Sequence, residues 1–228
     1  MKKVIVISLG GSLIIPDEID LKFLKEFKKV ILKNTRKYKF IIVAGGGSIA
    51  RKYINALKRI GINERLQNMS GISATRMNAR FMMYFFNQDQ TEGIPQQMKT
   101  VEKYIKENDI VFCGALDYKP NQTSDATASQ IALHFKTIFI NLTNVSGLFD
   151  KNPLEHKDAK FIPETSFEEL YKMSHSKKYK PGQHFVLDQT ASKIIKKHKI
   201  TTYILGENMK HLDNLLNGRK FRGTTISK

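Results

Sequence analysis

The sequence predicts an α/β protein built as a three-layer, doubly wound and mostly parallel sheet with helices on both faces. Short apolar runs rich in β-branched residues, at 3–7 and 40–43, are typical of strands that are buried on both faces. Such runs alternate along the chain with stretches whose apolar residues recur at helical spacing. Because no linker-like stretch divides the chain, we expect one domain over residues 1–228.

The elements are predicted in a regular order. Asp20 is positioned to cap the first helix, and Ser48 opens the second, whose apolar stripe includes Tyr53 and Ile60. Helices are predicted at 21–32, 48–60, 72–86, 125–134, 190–197 and 211–216. Strands are predicted at 3–7, 40–43, 110–113, 137–142, 201–205 and 224–226. The segment 172–183, with its serines, lysines and Pro-Gly pair, is predicted to be a surface loop or lid.

The composition indicates a globular protein of a reducing compartment. Hydrophobic residues make up 41% of the chain, which is enough for a buried core. No apolar run approaches the ~20 residues that a membrane-spanning helix needs, and the first residues do not resemble a secretory signal. Cys113 is the single cysteine, so we expect a cytoplasmic protein without a disulfide or a structural zinc site.

The formal net charge of +17 is the most unusual bulk feature. A positive field attracts anions, including nucleotides, nucleic acids and acidic membranes. The lysines are scattered, however, and they form pairs such as Lys28-Lys29 rather than a polybasic tail. We therefore favour solvated, lysine-rich faces over a surface that binds nucleic acid or membrane.

Small and polar residues follow several of the predicted strands: Gly10-Gly11-Ser12, Gly45-Gly46-Gly47-Ser48 and Thr143-Asn144. The carboxyl ends of parallel strands meet at one edge of a sheet, where open α/β folds bind ligands. Glycines there let backbone N–H groups approach a ligand closely, and the helix that follows presents its positive end. Two such loops after two successive strands predict an anion site that holds phosphate groups.

Two common phosphate-binding motifs do not fit these loops. The P-loop ends in Gly-Lys-Ser/Thr, and neither glycine loop contains that lysine. Gly45, Gly47 and Ala50 match the dinucleotide pattern, but the acidic residue expected about 20 residues later at a strand end is missing. The sequence therefore favours a phosphate site of another kind.

Charged side chains near these loops are candidates for chemistry. Arg51 lies one turn into the helix after Ser48, where it either contacts phosphate in a bidentate manner or occupies a solvated face. Asp125 opens a later helix, where a carboxylate either stabilises the helix or organises groups around a transferring phosphoryl group.

Other polar residues lie close to the predicted helix starts. Thr123 and Ser124 precede Asp125 and could hold a substrate phosphate through hydroxyl and backbone donors. Asp188 and Lys193 lie near the start of a late helix, and we expect both at the surface.

The order of these motifs resembles the amino acid kinase family and, within it, the archaeal-type UMP kinases. The resemblance covers almost the whole chain, and it rests on the order and spacing of the blocks more than on any single one. The blocks are residues 9–12, 45–53, 71–79, 123–126, 143–153, 187–195 and 223–226.

This resemblance implies a homohexameric enzyme that transfers the γ-phosphoryl group of Mg-ATP to UMP in pyrimidine nucleotide biosynthesis. The N-terminal part would mainly hold the acceptor and the C-terminal part ATP, with Mg²⁺ bound to the nucleotide and no metal ligand from the protein. The catalytic residues implied are Gly10, Arg51 and Asp125. ATP-binding roles are implied for Gly10, Gly11, Ser12, Gly47, Arg51, Thr143, Asn144, Phe149 and Asn152. UMP-binding roles are implied for Gly46, Asn68, Leu116, Pro120, Asn121, Gln122, Thr123 and Ser124.

Several positions depart from the family pattern. Ser8 stands where many relatives carry a lysine, and Ser146 stands where an aspartate is usual. Asn68 and Asn152 replace acidic residues near the two riboses, and Phe149 replaces a tyrosine. An asparagine can still accept a hydrogen bond through its carbonyl, so nucleotide binding can survive these two exchanges. The changes leave room for weakened activity or for another phosphoryl acceptor.

Two alternatives therefore stay open. A kinase of the same fold could act on another small phosphate such as isopentenyl phosphate, although that relative places a histidine near the transferred phosphate and neither glycine loop has one. The chain could instead be a non-catalytic protein that binds nucleotides or nucleic acid, in which case RNA or DNA binding would depend steeply on salt.

Overall fold

The structure is a computed structural model that describes residues 2–89, 93–118, 123–175 and 186–228. Its strands are β1 (Lys3–Leu9), β2 (Tyr38–Ala44), β3 (Ile110–Cys113), β4 (Phe139–Leu142), β5 (Leu148–Phe149), β6 (Phe161–Ile162), β7 (Glu164–Thr165), β8 (Thr202–Leu205) and β9 (Thr224–Ile226). In the described part of the chain, the main sheet has seven strands in the order β3-β2-β1-β4-β8-β9-β7. All neighbouring pairs are parallel except β8 and β9, and β5 and β6 form a separate antiparallel pair.

Helices surround this sheet, and they confirm the predicted fold class. They are α1 (Gly11–Ile14), α2 (Leu21–Asn34), α3 (Gly47–Arg59), α4 (Glu64–Phe85), α5 (Met98–Glu107), α6 (Ser124–His134), α7 (Phe167–His175), α8 (Gln189–His198) and α9 (Met209–Leu216). Helix α4 packs on β2 and β3, and α6 packs on β1, β2 and β4. Helix α3 lies against α4, and α8 lies against both α6 and α7.

Strand β1 is central because it pairs in parallel with β2 on one side and with β4 on the other. Its residues from Ile5 to Leu9 are buried, which explains the continuous apolar run in the sequence. After β1 the chain continues to β2 on one side of this pair, and after β4 it leads to β8 on the other, so the loops that follow β1 and β4 diverge. Open α/β sheets bind ligands in the crevice that forms at such a point.

Side-chain caps fix where several helices begin. The Asp20 carboxylate accepts a hydrogen bond from the Phe23 amide at 3.0 Å, which confirms the predicted cap of α2. The Asn63 side chain accepts from the Leu66 amide at 3.1 Å at the start of α4. Because an N-cap satisfies a backbone donor that otherwise lacks a partner, each of these residues sets a helix boundary.

The structure differs from the predicted elements in the first half of the chain. Helix α4 begins at Glu64 rather than near residue 72, because Asn63 caps it there and Gly71 is accommodated inside it. Helix α3 was expected to bury an apolar stripe, yet Tyr53 and Ile60 are 53% and 72% exposed. This helix rests on α4 instead of on the sheet, so Tyr53 and Ile60 stay exposed, while Ile49 and Leu57 are half-buried.

Helices α5 and α7 had no counterpart in the sequence prediction. Each is short and buries apolar residues at helical spacing, such as Val101 and Ile105 in α5. The predicted loop or lid at 172–183 is wrong as far as His175, since these residues complete α7. Residues 176–183 lie outside the described residues. No helix that the structure describes has the length and apolar character needed to cross a membrane.

Candidate functional site

The two glycine loops after β1 and β2 touch one another through their backbones. A Cβ atom placed on Gly11 would lie 2.0 Å from the Gly47 nitrogen, and one on Gly45 would lie 2.4 Å from the Gly11 nitrogen. Gly47 also has φ +61, a conformation that favours glycine. This contact requires glycine on both sides, and it places the predicted phosphate loops next to each other.

Helix α3 begins inside the second loop without a side-chain cap. Its N-cap residue is Gly46, which has no side chain to accept from the first-turn amides. The positive end of the helix dipole therefore stays available at the loop, together with backbone donors. An anion bound beside the loop would meet both.

A cavity of about 370 Å³ opens at the carboxyl ends of β1 and β4. It brings together much of the predicted ATP site and the predicted catalytic residues. The predicted residues that line it are Gly10, Ser12, Arg51, Ser124, Asp125, Thr143, Asn144, Phe149 and Asn152. Gly11 and Gly47 do not line it, because they form the contact between the loops beneath it.

Asp125 lines this cavity and is half-buried, so part of its side chain is open to the cavity space. The buried Ser8 hydroxyl donates a hydrogen bond to its Oδ1 atom at 2.7 Å. Burial, helped by the negative charge of Asp188 and opposed by the Ser8 hydrogen bond, raises the pKa of the Asp125 carboxyl from 3.8 to about 7. The carboxyl that the sequence left as either a helix-stabilising group or an organiser of the site thus has a raised pKa and borders the cavity.

Asp188, which was expected at the surface, is half-buried at the start of α8. Its Oδ1 atom accepts from the amides of Thr190 and Ala191 at 2.7 and 3.0 Å, so it caps α8. The Thr123 hydroxyl donates to its other oxygen, and Thr123 itself caps α6 by accepting from the Ala126 amide. The starts of both helices are therefore tied together beside Asp125.

The predicted acceptor side lies towards α4. A Cβ on Gly46 would lie 3.5 Å from the Thr75 Cγ2 atom and 3.6 Å from the Gly71 oxygen. Asn78 of α4 donates from Nδ2 to the Gly45 oxygen at 2.7 Å and anchors the loop. Gly46 therefore lies against α4 and does not line the cavity next to β4.

The remaining predicted UMP residues fall in three groups. Asn68 lies half-buried on α4, and the Leu116 side chain is buried in the core rather than open to a ligand. Arg76 holds the backbone there by donating to the oxygens of Ala115 and Leu116 at 3.0 and 2.8 Å. Pro120, Asn121 and Gln122 lie outside the described residues.

An aromatic group borders the cavity at its outer end. Phe149 of β5 packs edge-on against Phe161 of β6 with ring centroids 5.4 Å apart, and Arg222 lies over the Phe161 ring. The side-chain oxygen of Asn152 accepts from the Leu154 amide at 3.1 Å, and no described residue accepts from the Asn152 amino group. This end of the cavity offers a flat apolar surface with polar neighbours.

The described residues contain no group of three or more His, Cys, Asp or Glu side chains that could hold a metal ion. Magnesium usually keeps several waters and binds substrate phosphates rather than an all-protein cage.

Comparison with known proteins decides the family. A family model described as the amino acid kinase family matches residues 3–206. This chain belongs to the amino acid kinase family. A curated uridylate kinase of Thermococcus kodakarensis is 30% identical over 97% of this chain and 98% of that protein. A uridylate kinase of Thermoplasma volcanium is 33% identical over 100% of this chain and 99% of that protein.

A solved structure agrees with these sequence relatives. The uridylate kinase of Archaeoglobus fulgidus superposes with a TM-score of 0.84 at 30% identity, covering 100% of both chains. The family resemblance predicted from the motif order is confirmed, and so is the fold. The roles of individual site residues stay predictions, because similarity in sequence and fold does not test single contacts.

Sequence reasoning did not find two contacts that shape the site. Ser8 was noted as a missing lysine, but not as the partner of Asp125, which lies 117 positions away in the chain. The buried Asn141 donates to the Val186 oxygen at 2.6 Å and closes the cavity floor, and it looked like an ordinary strand residue. Both positions are polar residues inside apolar strands, and this is the signal that could have identified them.

Proposed function

We propose that this chain transfers the γ-phosphoryl group of Mg-ATP to UMP and releases UDP and ADP. The observation that carries this proposal is full-length similarity to uridylate kinases, in a chain whose two glycine loops meet backbone to backbone. A kinase of this kind must hold two phosphorylated ligands in line. Neighbouring loops that can each receive phosphate oxygens supply that arrangement.

The donor nucleotide would occupy the cavity between β1 and β4. Its base would pack on Phe149, and its ribose would lie near Asn152 and Asn144. Its phosphates would extend towards Gly10 and Ser12, where Arg51 adds a positive charge from α3. UMP would approach from the Gly46 side, towards α4.

Transfer needs little covalent help from the protein. The attacking oxygen belongs to the UMP phosphate and is already negatively charged, so no side chain has to remove a proton from it. When bound with ATP, magnesium neutralises charge on the phosphate oxygens. The protein would supply alignment through the two loops and electrostatic stabilisation through backbone amides and Arg51.

A coupled assay that measures ADP release tests the acceptor. Purified protein, ATP and magnesium are combined with UMP, CMP, AMP, GMP or isopentenyl phosphate, and a mixture without acceptor reports hydrolysis. We expect UMP to give the highest kcat/KM by about 10²-fold, as sites that hydrogen-bond a substrate reject analogues strongly. If the protein turns over isopentenyl phosphate but not UMP, isopentenyl phosphate replaces UMP as the assigned acceptor. ATP binding without ADP release from any mixture would make the protein non-catalytic.

Phe149 provides a prediction for the donor side. Changing Phe149 to alanine removes the flat surface for the base, and we expect KM for ATP to rise about tenfold with little change in KM for UMP, since base–aromatic stacking contributes about 1–3 kcal/mol. Phe221→Ala is the matched control, because Phe221 packs on Tyr203 and does not line the cavity. If wild type and Phe149→Ala have equal KM values for ATP, the adenine base does not pack on Phe149.

The enzyme would act as a homo-oligomer, a hexamer by family resemblance, in the cytoplasm. Exposed apolar side chains concentrate on the packed pair α3 and α4: Tyr53, Ile60, Leu66, Met77 and Tyr84. Exposed apolar side chains grouped on one helix pair are typical of a protein interface. A second copy of the chain is the partner that the family resemblance supports.

Light scattering during size exclusion tests this surface. We expect Ile60→Asp to lower the oligomeric mass, because a carboxylate at an apolar interface loses its hydration without gaining a partner. Leu32→Asp is the control, since Leu32 is 44% exposed on α2, away from this helix pair. A monomeric wild type, or an Ile60→Asp variant with the mass of wild type, would argue against the surface.

A further inference from the structure

The groups around Asp125 give it no cationic partner in the described part of the chain. From β1, the Ser8 hydroxyl donates to Oδ1 at 2.7 Å. From α8, Asp188 adds a second negative charge. From β4, Asn141 directs its amino group to the Val186 oxygen instead. A buried carboxylate with one neutral donor and a negative neighbour is poorly stabilised.

The cationic side chains that line the same cavity, within the described residues, are Arg51 and Lys151. Lys151 forms an ion pair with Asp158, and no ion pair that the structure describes joins Arg51 to Asp125. On α6 itself, Thr123 is bound to Asp188 and its hydroxyl accepts from the Ala126 amide. The described Asp125 environment therefore favours a proton on the carboxyl over a negative charge on it.

We propose that Asp125 works as a neutral carboxylic acid that donates a hydrogen bond to a phosphoryl oxygen of the bound nucleotide. The inference rests on the proposed phosphoryl transfer and specifies the state in which this site operates. Ser8 is its positioning residue, because its hydroxyl occupies Oδ1 and leaves Oδ2 to carry the proton. In the described part of the chain, no protein group donates to Oδ2.

The chemistry of the ligand reinforces this assignment. A pKa of about 7 in the empty site makes about half of the carboxyl groups neutral at pH 7. Phosphate oxygens brought next to the carboxyl add negative charge and favour the protonated form further. A neutral acid then gives the oxygens a donor, whereas a carboxylate in the same place would repel them. Carboxylic acids kept neutral by their surroundings serve as hydrogen-bond donors in other active sites.

The pH dependence of the rate separates a neutral acid from a carboxylate. Asp125→Asn keeps the shape of the side chain and gives it an amide donor that does not titrate. We expect its kcat/KM, which reports the empty site, to stay within about tenfold of wild type at pH 6, and the ratio of the variant kcat/KM to the wild-type kcat/KM to rise about tenfold between pH 6 and pH 8. Ionisation of UMP and ATP changes both rates by the same factor at each pH, because both enzymes receive the same substrates, so it does not affect this ratio.

Two further variants complete the series. Asp125→Ala, which has no donor, should lose activity at every pH in this range. Ser8→Lys places an ammonium beside the Asp125 carboxyl and stabilises its ionised form. The fall in activity that accompanies ionisation of Asp125 should therefore occur at a pH at least one unit lower than in wild type. Asp109→Asn is the matched control, because Asp109 is an exposed carboxylate paired with Lys2, outside the cavity, and its profile should equal that of wild type.

A direct readout keeps the inference testable if UMP is not the acceptor. Infrared difference spectra of wild type with a non-hydrolysable ATP analogue should show the carbonyl stretch of a protonated carboxyl at pH 7, and Asp125→Asn should lack that band. If wild type lacks this carbonyl band, the proposal is overturned. The proposal is also overturned if Asp125→Asn is inactive across the pH range while the activity of wild type rises through pH 7. If the band is present but UMP is not turned over, the proposal of a protonated Asp125 stands and only the assignment of UMP as acceptor is rejected.

Discussion

Replacing Gly11 with alanine is expected to abolish phosphoryl transfer and to lower stability by at least about 3 kcal/mol, as overpacking of backbone against backbone does. The added Cβ would lie 2.0 Å from the Gly47 nitrogen, and backbone atoms on both sides leave no flexible group that could move aside. The two loops must separate, and a displacement of about 1 Å at reacting groups costs about 10²-fold in rate. Urea unfolding and the ADP-release assay measure the two effects.

Gly218→Ala is the matched control for this change. A Cβ on Gly218 meets nothing within 4 Å, although its φ of +66 makes alanine unfavourable there. We expect a loss of about 1 kcal/mol from backbone strain alone, with full activity retained. If Gly11→Ala behaved like this control in both measurements, the close contact between the loops would not be needed for the site.

The second large effect concerns the stability of the protein as a function of pH. Burial, helped by the charge of Asp188, raises the pKa of Asp125 from 3.8 to about 7. The folded protein then keeps a proton that the unfolded chain releases, so stability falls as the pH rises from about 4 to 7 and stays low above that. Below pH 4 both states are protonated, and the effect disappears.

Asp125→Asn should remove this dependence. At pH 8 we expect the free energy of unfolding of the variant to exceed that of wild type by up to about 4 kcal/mol. At pH 5 we expect this difference between variant and wild type to be smaller by roughly 2–3 kcal/mol. The cavity side of the carboxyl is open to water, so these values are upper limits. Chemical denaturation at both pH values measures them. A variant less stable than wild type at pH 8 would show that the carboxyl is ionised and well compensated.

The part of the fold that could be predicted from the sequence is the part governed by local pattern. The strands β1, β2 and β3 are continuous apolar runs, and the Asp20 cap of α2 is a local hydrogen bond. The glycine loops were recognisable because a parallel sheet puts the ends of its strands on one edge. Their contact through Gly11 and Gly47 explains in physical terms why glycine occurs twice.

The features that could not be predicted depend on tertiary packing. Helical spacing placed apolar residues of α3 on one stripe, but spacing does not say whether that stripe faces the sheet or the solvent. Helix α4 extends past Gly71 because α3 packs along it, which offsets the low helix propensity of glycine. The partners of Asp125 come from β1 and α8, distant in sequence, so only the folded chain reveals its charge environment.

The position of a bound bisubstrate analogue, adenosine and uridine joined through their phosphates, tests the central claim most directly. A crystal structure of that complex should show the phosphate chain crossing from Gly10 and Ser12 to the loop at Gly46 and Gly47. The adenine should lie on Phe149, and the uridine should lie towards α4. Phosphates bound elsewhere, with backbone amides of both glycine loops directed at solvent, would contradict the account.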